Sequence, residues 1–127
     1  MVIDRISNLI ISLKNASKAG HDFVYVDDTK MNESIIKLLK DKKLIKDFAK
    51  NKNKKIKIEL EYDEQGPVIN EVKRISKNSK RVYQSYKEIK RVKRGYGLSV
   101  FSTPQGVISG DDARIAKVGG ELLFEIW

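Results

Sequence analysis

The residues best placed to do chemistry lie toward the C-terminal end. They are Ser102 and Thr103, then Gly106 after a Pro104-Gln105 step, then Gly119-Gly120-Glu121. Small hydroxyls, glycines and one carboxylate do not make a nucleophile with its base. They offer hydrogen-bond donors and acceptors on backbone that a ligand can approach closely. Hydrolysis would need a base beside the serine, yet the chain has one histidine, His21, and no cysteine. His21 has no cluster of partners in the sequence, so it reads as a loop or RNA-facing side chain. There is no Gly-x-Ser-x-Gly elbow and no Gly-x-x-x-x-Gly-Lys phosphate loop. Asp111 and Asp112 are adjacent and suit the first turn of a helix. These residues argue against an enzyme, and no cofactor or metal pattern is present. The segment 101–127 has two basic and four acidic residues, net −2. It cannot hold an anion by bulk charge. Contact with nucleic acid there must run through hydroxyls and backbone N–H groups, which position and read shape.

The positive charge lies elsewhere. The formal net charge is +9. Residues 1–50 carry ten basic and seven acidic groups, net +3, and residues 51–100 carry fourteen and six, net +8. From Lys73 to Arg94 there are ten Lys or Arg and one acid, Glu88. Such density favours a polyanion, with a solvated lysine-rich face as the plainer reading. The absence of cysteine rules out disulfides and thiolate metal sites and fits a reducing compartment. No run of apolar residues is long enough for a membrane span, and the N-terminus lacks the layout of a secretory signal.

The elements that must position these residues follow from periodicity. Ile6, Leu9, Ile10, Leu13 and Ala16 form a helical stripe over residues 4–18, with Asp4 as N-cap, Gly20 as stop, and Ile3 and Ile11 widening the apolar face. Phe23-Val24-Tyr25-Val26 predicts a strand. Asp27-Asp28-Thr29 opens a second helix near residues 30–42, with Met31, Ile35, Leu38 and Leu39 inward. Leu44 to Phe48 and the alternating run Lys55 to Tyr62 predict two more strands, joined by a basic tip at Asn51 to Lys55. Asp63-Glu64-Gln65-Gly66-Pro67 punctuates the chain, and a boundary is expected there: residues 1–65 as an N-terminal α/β domain, residues 66–127 as a mainly β C-terminal RNA-binding domain. In the latter, strands are expected over Val68 to Ile75, from Arg81 to Tyr83 and from Leu98. A short helical turn is expected over Tyr86 to Val92, broken at Gly95-Tyr96-Gly97. Ser109-Gly110-Asp111-Asp112 has the form of a capping box opening a short helix through Lys117. The apolar run ending at Trp127 is expected to be tied into the closing sheet. The fold class is α+β.

Three stretches resemble one known family, the eighth protein family of the small ribosomal subunit. Ser102-Thr103-Pro104-Gln105-Gly106-Val107-Ile108-Ser109, Asp112-Ala113-Arg114 and Gly119-Gly120-Glu121-Leu122 are similar to its C-terminal signature. Asp4 to Leu9 through Lys14-Asn15-Ala16 resembles its N-terminal helix. Lys73 to Lys77 followed by Arg81-Val82-Tyr83 resembles its central motif. The chain departs from the pattern at Pro104, where the family usually has a serine, and at Ser109-Gly110, Asn78-Ser79 and Lys14. Pro104 removes one hydroxyl and one backbone N–H that could meet RNA.

The resemblance implies two small α/β domains that bind an irregular helix in the central domain of small-subunit ribosomal RNA and support assembly. It implies neighbouring small-subunit proteins as partners. It also implies a ribosomal location, in a bacterial cytoplasm or in an organelle such as a mitochondrion or plastid. Bacterial members also bind their own messenger RNA, which makes that RNA a further partner to consider. The alternative is an RNA-binding repressor or RNA chaperone acting off the ribosome. An A-form helix offers its shallow groove, 2′-hydroxyls and phosphates. Ser102, Thr103, Gly106, Gly119 and Gly120 suit close hydrogen bonding. Glu121 either accepts from a base amino group or 2′-hydroxyl, or anchors the Ser-Thr loop. Tyr83 either stacks on a base or is a half-buried strand residue. Lys54, Lys55, Lys73, Arg74, Lys77, Lys80 and Arg81 are phosphate candidates.

Overall fold

In a computed structural model, the structure describes residues 5–77, 79–90, 92 and 97–127. The expected Asp4 cap, Ile3, Asn78, Arg91 and the Gly95-Tyr96 break lie outside the described residues. The fold is α+β. The chain divides into two compact units, Met1–Asn70 and Glu71–Trp127.

Helix α1 (Arg5–Lys18) buries Leu9, Ile10, Leu13 and Ala16, the stripe that the 3.6-residue period dictates. Ile11 does not widen that stripe: it is 51% exposed, because it points about 200° away from Leu9 around the helix. Gly20 ends the helix at φ 74°, a conformation that costs a residue with a Cβ about 1–2 kcal/mol. Strand β1 (Phe23–Asp27) follows. Helix α2 (Lys30–Asp41) is capped by Thr29, whose hydroxyl accepts from the Asn32 N–H at 3.1 Å, and buries Ile35, Ile36, Leu38 and Leu39. Strands β2 (Ile45–Lys50) and β3 (Lys55–Leu60) complete an antiparallel sheet in the order β1-β3-β2. The alternation in β3 buries Ile56, Ile58 and Leu60 and turns Lys55, Lys57 and Glu59 to the other face.

The expected boundary at residues 65/66 falls inside a small hairpin. β4 (Tyr62–Asp63) pairs with β5 (Gly66–Pro67), and the Val68 N–H donates to the Glu61 carbonyl. These bonds keep residues 66–70 with the first unit. They also shorten the expected strand from Val68 to Ile75, which is regular only over β6 (Val72–Arg74).

The second unit is a sheet built around the C-terminal strand. β7 (Tyr83–Gln84), β8 (Leu98–Thr103), β9 (Gly106–Ser109), α3 (Gly110–Ala116) and β10 (Gly120–Ile126) follow in order. β10 pairs with β6, β7 and β8, and β8 with β9, all antiparallel. Trp127 and Glu71 exchange backbone hydrogen bonds of 2.8 and 2.9 Å, which ties down the end of the apolar run. Ile89, Phe101, Ala113 and Leu122 form the buried cluster on one face, with Ile75, Val82, Tyr86, Ile108 and Val118 packed around it. Each large side chain buried there contributes about 1.5–3 kcal/mol. The expected helical turn is present as one i→i+3 turn, Glu88 N–H to the Ser85 carbonyl, shorter than the expected span. Ser109 caps α3 by accepting from the Asp112 N–H at 3.1 Å, the N-cap half of a capping box.

Candidate nucleic-acid interface

The candidate residues of the second unit come together through strand register. Glu121 of β10 lies opposite Ser102 of β8 and Tyr83 of β7, and Ser102 lies opposite Val107 of β9. Directly paired residues project to the same face of a sheet. Tyr83, Glu121, Ser102 and Val107 therefore form one row across four strands. The next row, Leu122, Phe101 and Ile108, faces the buried cluster. The row with the hydroxyl and the tyrosine is thus held by the core behind it.

The end of this row is the β8–β9 hairpin. The Thr103 hydroxyl donates to the Gly106 carbonyl at 2.8 Å and accepts from the Gln105 N–H at 3.1 Å. Gly106 has φ 108° with nothing within 4 Å of the place a Cβ would take, so the turn stays bare and narrow. Ser102 and Thr103 are half-buried and Gly106 is exposed. Tyr83 is 68% exposed, which removes the half-buried reading and leaves its ring open to solvent.

Gly119 and Gly120 have a different surrounding. A Cβ on Gly119 would lie 2.5 Å from the Gln84 carbonyl oxygen and 2.9 Å from the Ser85 Cα. One on Gly120 would meet the Ser102 carbonyl and lie 3.0 Å from the Thr103 Cγ2. The chain's own strands occupy the space that the missing side chains leave, so these glycines let β10 lie against β7 and β8.

Glu121 is held inside a small polar network. Its carboxylate accepts from the Ser76 hydroxyl and, at 3.0 Å, from Arg81 Nη1. Ser76 is fully buried, and its Oγ also accepts from the Val82 N–H at 3.2 Å. Burial pushes the Glu121 carboxyl up. The hydrogen bonds from Ser76 and Arg81, with the charges of Arg81 and Arg74, outweigh burial and hold it below the ordinary glutamate range. Glu121 thus anchors the segment from Ser76 to Arg81, a bond across 45 sequence positions for Ser76. Sequence reasoning misses Ser76 as a site residue, although it lies in the Lys73 to Lys77 stretch that resembles the family's central motif.

The cations divide between the units. Lys73 is exposed on β6 opposite Glu125. Lys77 and Lys80 exchange backbone hydrogen bonds of 2.9 and 3.0 Å and present exposed side chains at one turn. Arg74 is half-buried, and its Nε donates to the Ser76 carbonyl. Lys54 and Lys55 belong to the first unit, at the β2–β3 tip. There the Asn51 side chain accepts from the Asn53 and Lys55 N–H groups at 3.0 and 3.2 Å. Lys54 takes φ 58° in that turn, and the Lys55 ammonium is paired with Asp27.

The family model described as Ribosomal protein S8 matches residues 4–127. The small ribosomal subunit protein uS8 of Helicobacter pylori (strain Shi470) is 44% identical, and that of Nautilia profundicola is 42% identical, each over 100% of both chains. That of Borreliella burgdorferi (strain ZS7) is 40% identical over 96% of both chains. A polar row on a sheet backed by a buried core, flanked by lysines, is in keeping with these matches. The chain belongs to the ribosomal protein S8 family, a family of structural proteins of the ribosome and not of enzymes.

Proposed function

We propose that the protein is a structural constituent of the small ribosomal subunit, and that the row Tyr83, Glu121, Ser102 with the Thr103–Gly106 turn is its RNA-reading face. The target is an irregular helix in the central domain of small-subunit ribosomal RNA. Neighbouring small-subunit proteins are its other partners, and a stem of like shape in its own messenger RNA would meet the same face. The observation that carries this reading is the register: a hydroxyl-bearing turn and an exposed tyrosine lie in one row on a sheet backed by a buried core.

Each group has a part. Ser102 and the bare Gly106 turn meet 2′-hydroxyls and backbone in the shallow groove. Tyr83 stacks on a base splayed from the irregular helix, worth about 1–3 kcal/mol. Lys73, Lys77 and Lys80 neutralise phosphates. Glu121 positions the Ser76–Arg81 segment, and so the lysines and tyrosine on either side of it. Gly119 and Gly120 support the same face by letting three strands close up. Lys54, Lys55, Arg74 and Arg81 supply further positive charge.

The test is filter binding with two RNAs of equal length, a central-domain stem with its internal loop and a fully paired stem, at two salt concentrations. The irregular stem should be preferred, and the preference should survive higher salt. Ser102→Ala with Thr103→Ala should weaken the irregular stem more than loss of any one surface lysine. An unchanged dissociation constant in that double variant overturns the site. Equal, steeply salt-dependent binding to both RNAs overturns shape reading.

A further inference from the structure

The tip of the β8–β9 hairpin carries one side chain to which the stem-reading face gives no part. Thr103, Pro104, Gln105 and Gly106 make the corner, with Thr103 opposite Gly106 in the register. The Thr103 hydroxyl donates its proton to the Gly106 carbonyl and accepts from the Gln105 N–H. Pro104 has no N–H. The two corner residues therefore present RNA with no open backbone donor. What they present is the Gln105 carboxamide. Gln105 is exposed, and its side chain makes no hydrogen bond among the described residues. Its main chain is nonetheless fixed, by the restricted backbone of Pro104 before it and by Thr103 Oγ1 on its N–H. The amide is thus open at its end and pinned at its root, where the row with Ser102 ends.

The other groups on this face leave base identity unread. Ser102 meets ribose hydroxyls, which every nucleotide has, and a hydroxyl is donor and acceptor in one. Lysines meet phosphates, and an aromatic ring such as Tyr83 stacks on any base. Glu121 is held by Ser76 and Arg81. A carboxamide differs, because its acceptor and its donors lie at fixed places in one plane. In the shallow groove of an RNA duplex every base pair shows acceptors, and only guanine adds a donor, its N2 amino group. That amino group lies beside the guanine N3 acceptor. A glutamine accepts from the first and donates to the second. Against any other base the amide oxygen faces no donor.

We infer that Gln105 reads one guanine in the shallow groove of the irregular stem, its Oε1 accepting from the N2 amino group and its Nε2 donating to N3. The face then recognises a base as well as a shape, and Gln105 sets which base. This inference rests on the stem-reading face proposed above.

The experiment is filter binding of the whole chain to the central-domain stem with its internal loop. Each guanosine of the stem is replaced in turn by inosine, which lacks only the N2 amino group. At one position inosine should weaken the parent about tenfold. Gln105→Met keeps the length of the side chain and the backbone N–H. It should bind the unmodified stem about tenfold more weakly and be indifferent to inosine at that position. A general loosening of the stem by inosine would weaken both proteins alike, so the coupling between side chain and amino group is what is read. Ser102→Ala should keep the parent's sensitivity to inosine. The Gln105 side chain is exposed and unbonded among the described residues, so the circular dichroism and urea midpoint of Gln105→Met should match the parent. Inosine without effect at every position overturns the assignment, as does an equal effect in the parent and in Gln105→Met. Sensitivity lost in Ser102→Ala and kept in Gln105→Met also overturns it. Each of these outcomes leaves the parent's preference for the irregular stem over the paired one in place. Loss of that preference in the same titrations overturns the reading face itself.

Discussion

In the first unit Lys37, Lys40, Lys46, Lys50 and Lys55 each lie within 3.8 Å of a carboxylate oxygen. In the second unit Lys73, Lys77, Lys80 and Lys90 make no ion pair among the described residues. Composition agrees: residues 1–70 hold fourteen basic and eleven acidic groups, net +3, and residues 71–127 hold twelve and six, net +6. The first unit's pairs are mutual. Hydrogen bonds from Lys50 and Lys37 hold the Glu33 carboxyl below its usual range, and Glu33 in turn raises Lys50. Lys40 and the Phe48 N–H do the same for Asp47. Such exposed pairs add little stability. What they do is occupy lysines, since a lysine already facing a carboxylate gains less from a phosphate than one facing water. At these five positions the placement of acids, and not only of lysines, sets the charge left for a polyanion.

One glycine from each unit, Gly20 and Gly120, is required for a different reason, and this gives the largest expected effect. In the first unit Gly20 is required by its dihedral, with open space around it; in the second, Gly120 is required by its neighbours. Gly120→Ala must push β10 from the Ser102 carbonyl and the Thr103 methyl, at a cost of about 2–3 kcal/mol. Gly20→Ala meets only backbone strain, about 1 kcal/mol. Urea unfolding of both variants measures the order. If Gly20→Ala were the more damaging, the close approach of β8 and β10 would not be what Gly120 provides.

A smaller effect attaches to the network behind the reading face. Ser76→Ala leaves the Val82 N–H without its acceptor and Glu121 without one donor, which costs about 1–3 kcal/mol. The pH dependence has a fixed sign. The folded Glu121 carboxyl titrates below its ordinary value of 4.5. Its contribution is therefore complete above that value and is lost as pH falls through the lower folded value. Glu121→Gln should narrow its gap from the parent as pH is lowered below 4.5, read as converging urea midpoints. A gap constant from pH 7 to acid would mean that the carboxylate's charge does not hold Ser76 and Arg81.

The elements were legible where their signals are local. The stripe Leu9, Leu13, Ala16, the Thr29 and Ser109 caps and the alternation from Lys55 to Leu60 each rest on contacts within a few residues, and the structure has them. That the terminal apolar run is tied into the sheet was also legible, though not its place between β6, β7 and β8. What was not legible depends on partners far along the chain. Ser76 and Glu121 meet across 45 positions. Gly119 and Gly120 read as open space until Gln84 and Ser102 are seen to fill it. Residues 68–71 have strand composition, but the Glu61 carbonyl takes the Val68 N–H and Trp127 takes Glu71.

The lysines supply the last and finest test of the difference between the units, because two variants of equal charge change can be set side by side. Lys77→Ala with Lys80→Ala removes cations that make no ion pair among the described residues; Lys40→Ala with Lys50→Ala removes cations that face Asp47, Asp28 and Glu33. Both lower net charge by the same amount, so a long-range field would treat them alike. Direct phosphate contact would not, since each contacting lysine releases counterions on binding. The first variant should flatten the salt dependence of stem binding by about one for each lysine in contact. The second should leave the slope nearly unchanged and lower the urea midpoint only slightly, an effect that fades at high salt as exposed pairs are screened. Equal slopes in the two variants would mean that the acids of the first unit do not set its lysines apart, and that the stem responds only to the total charge.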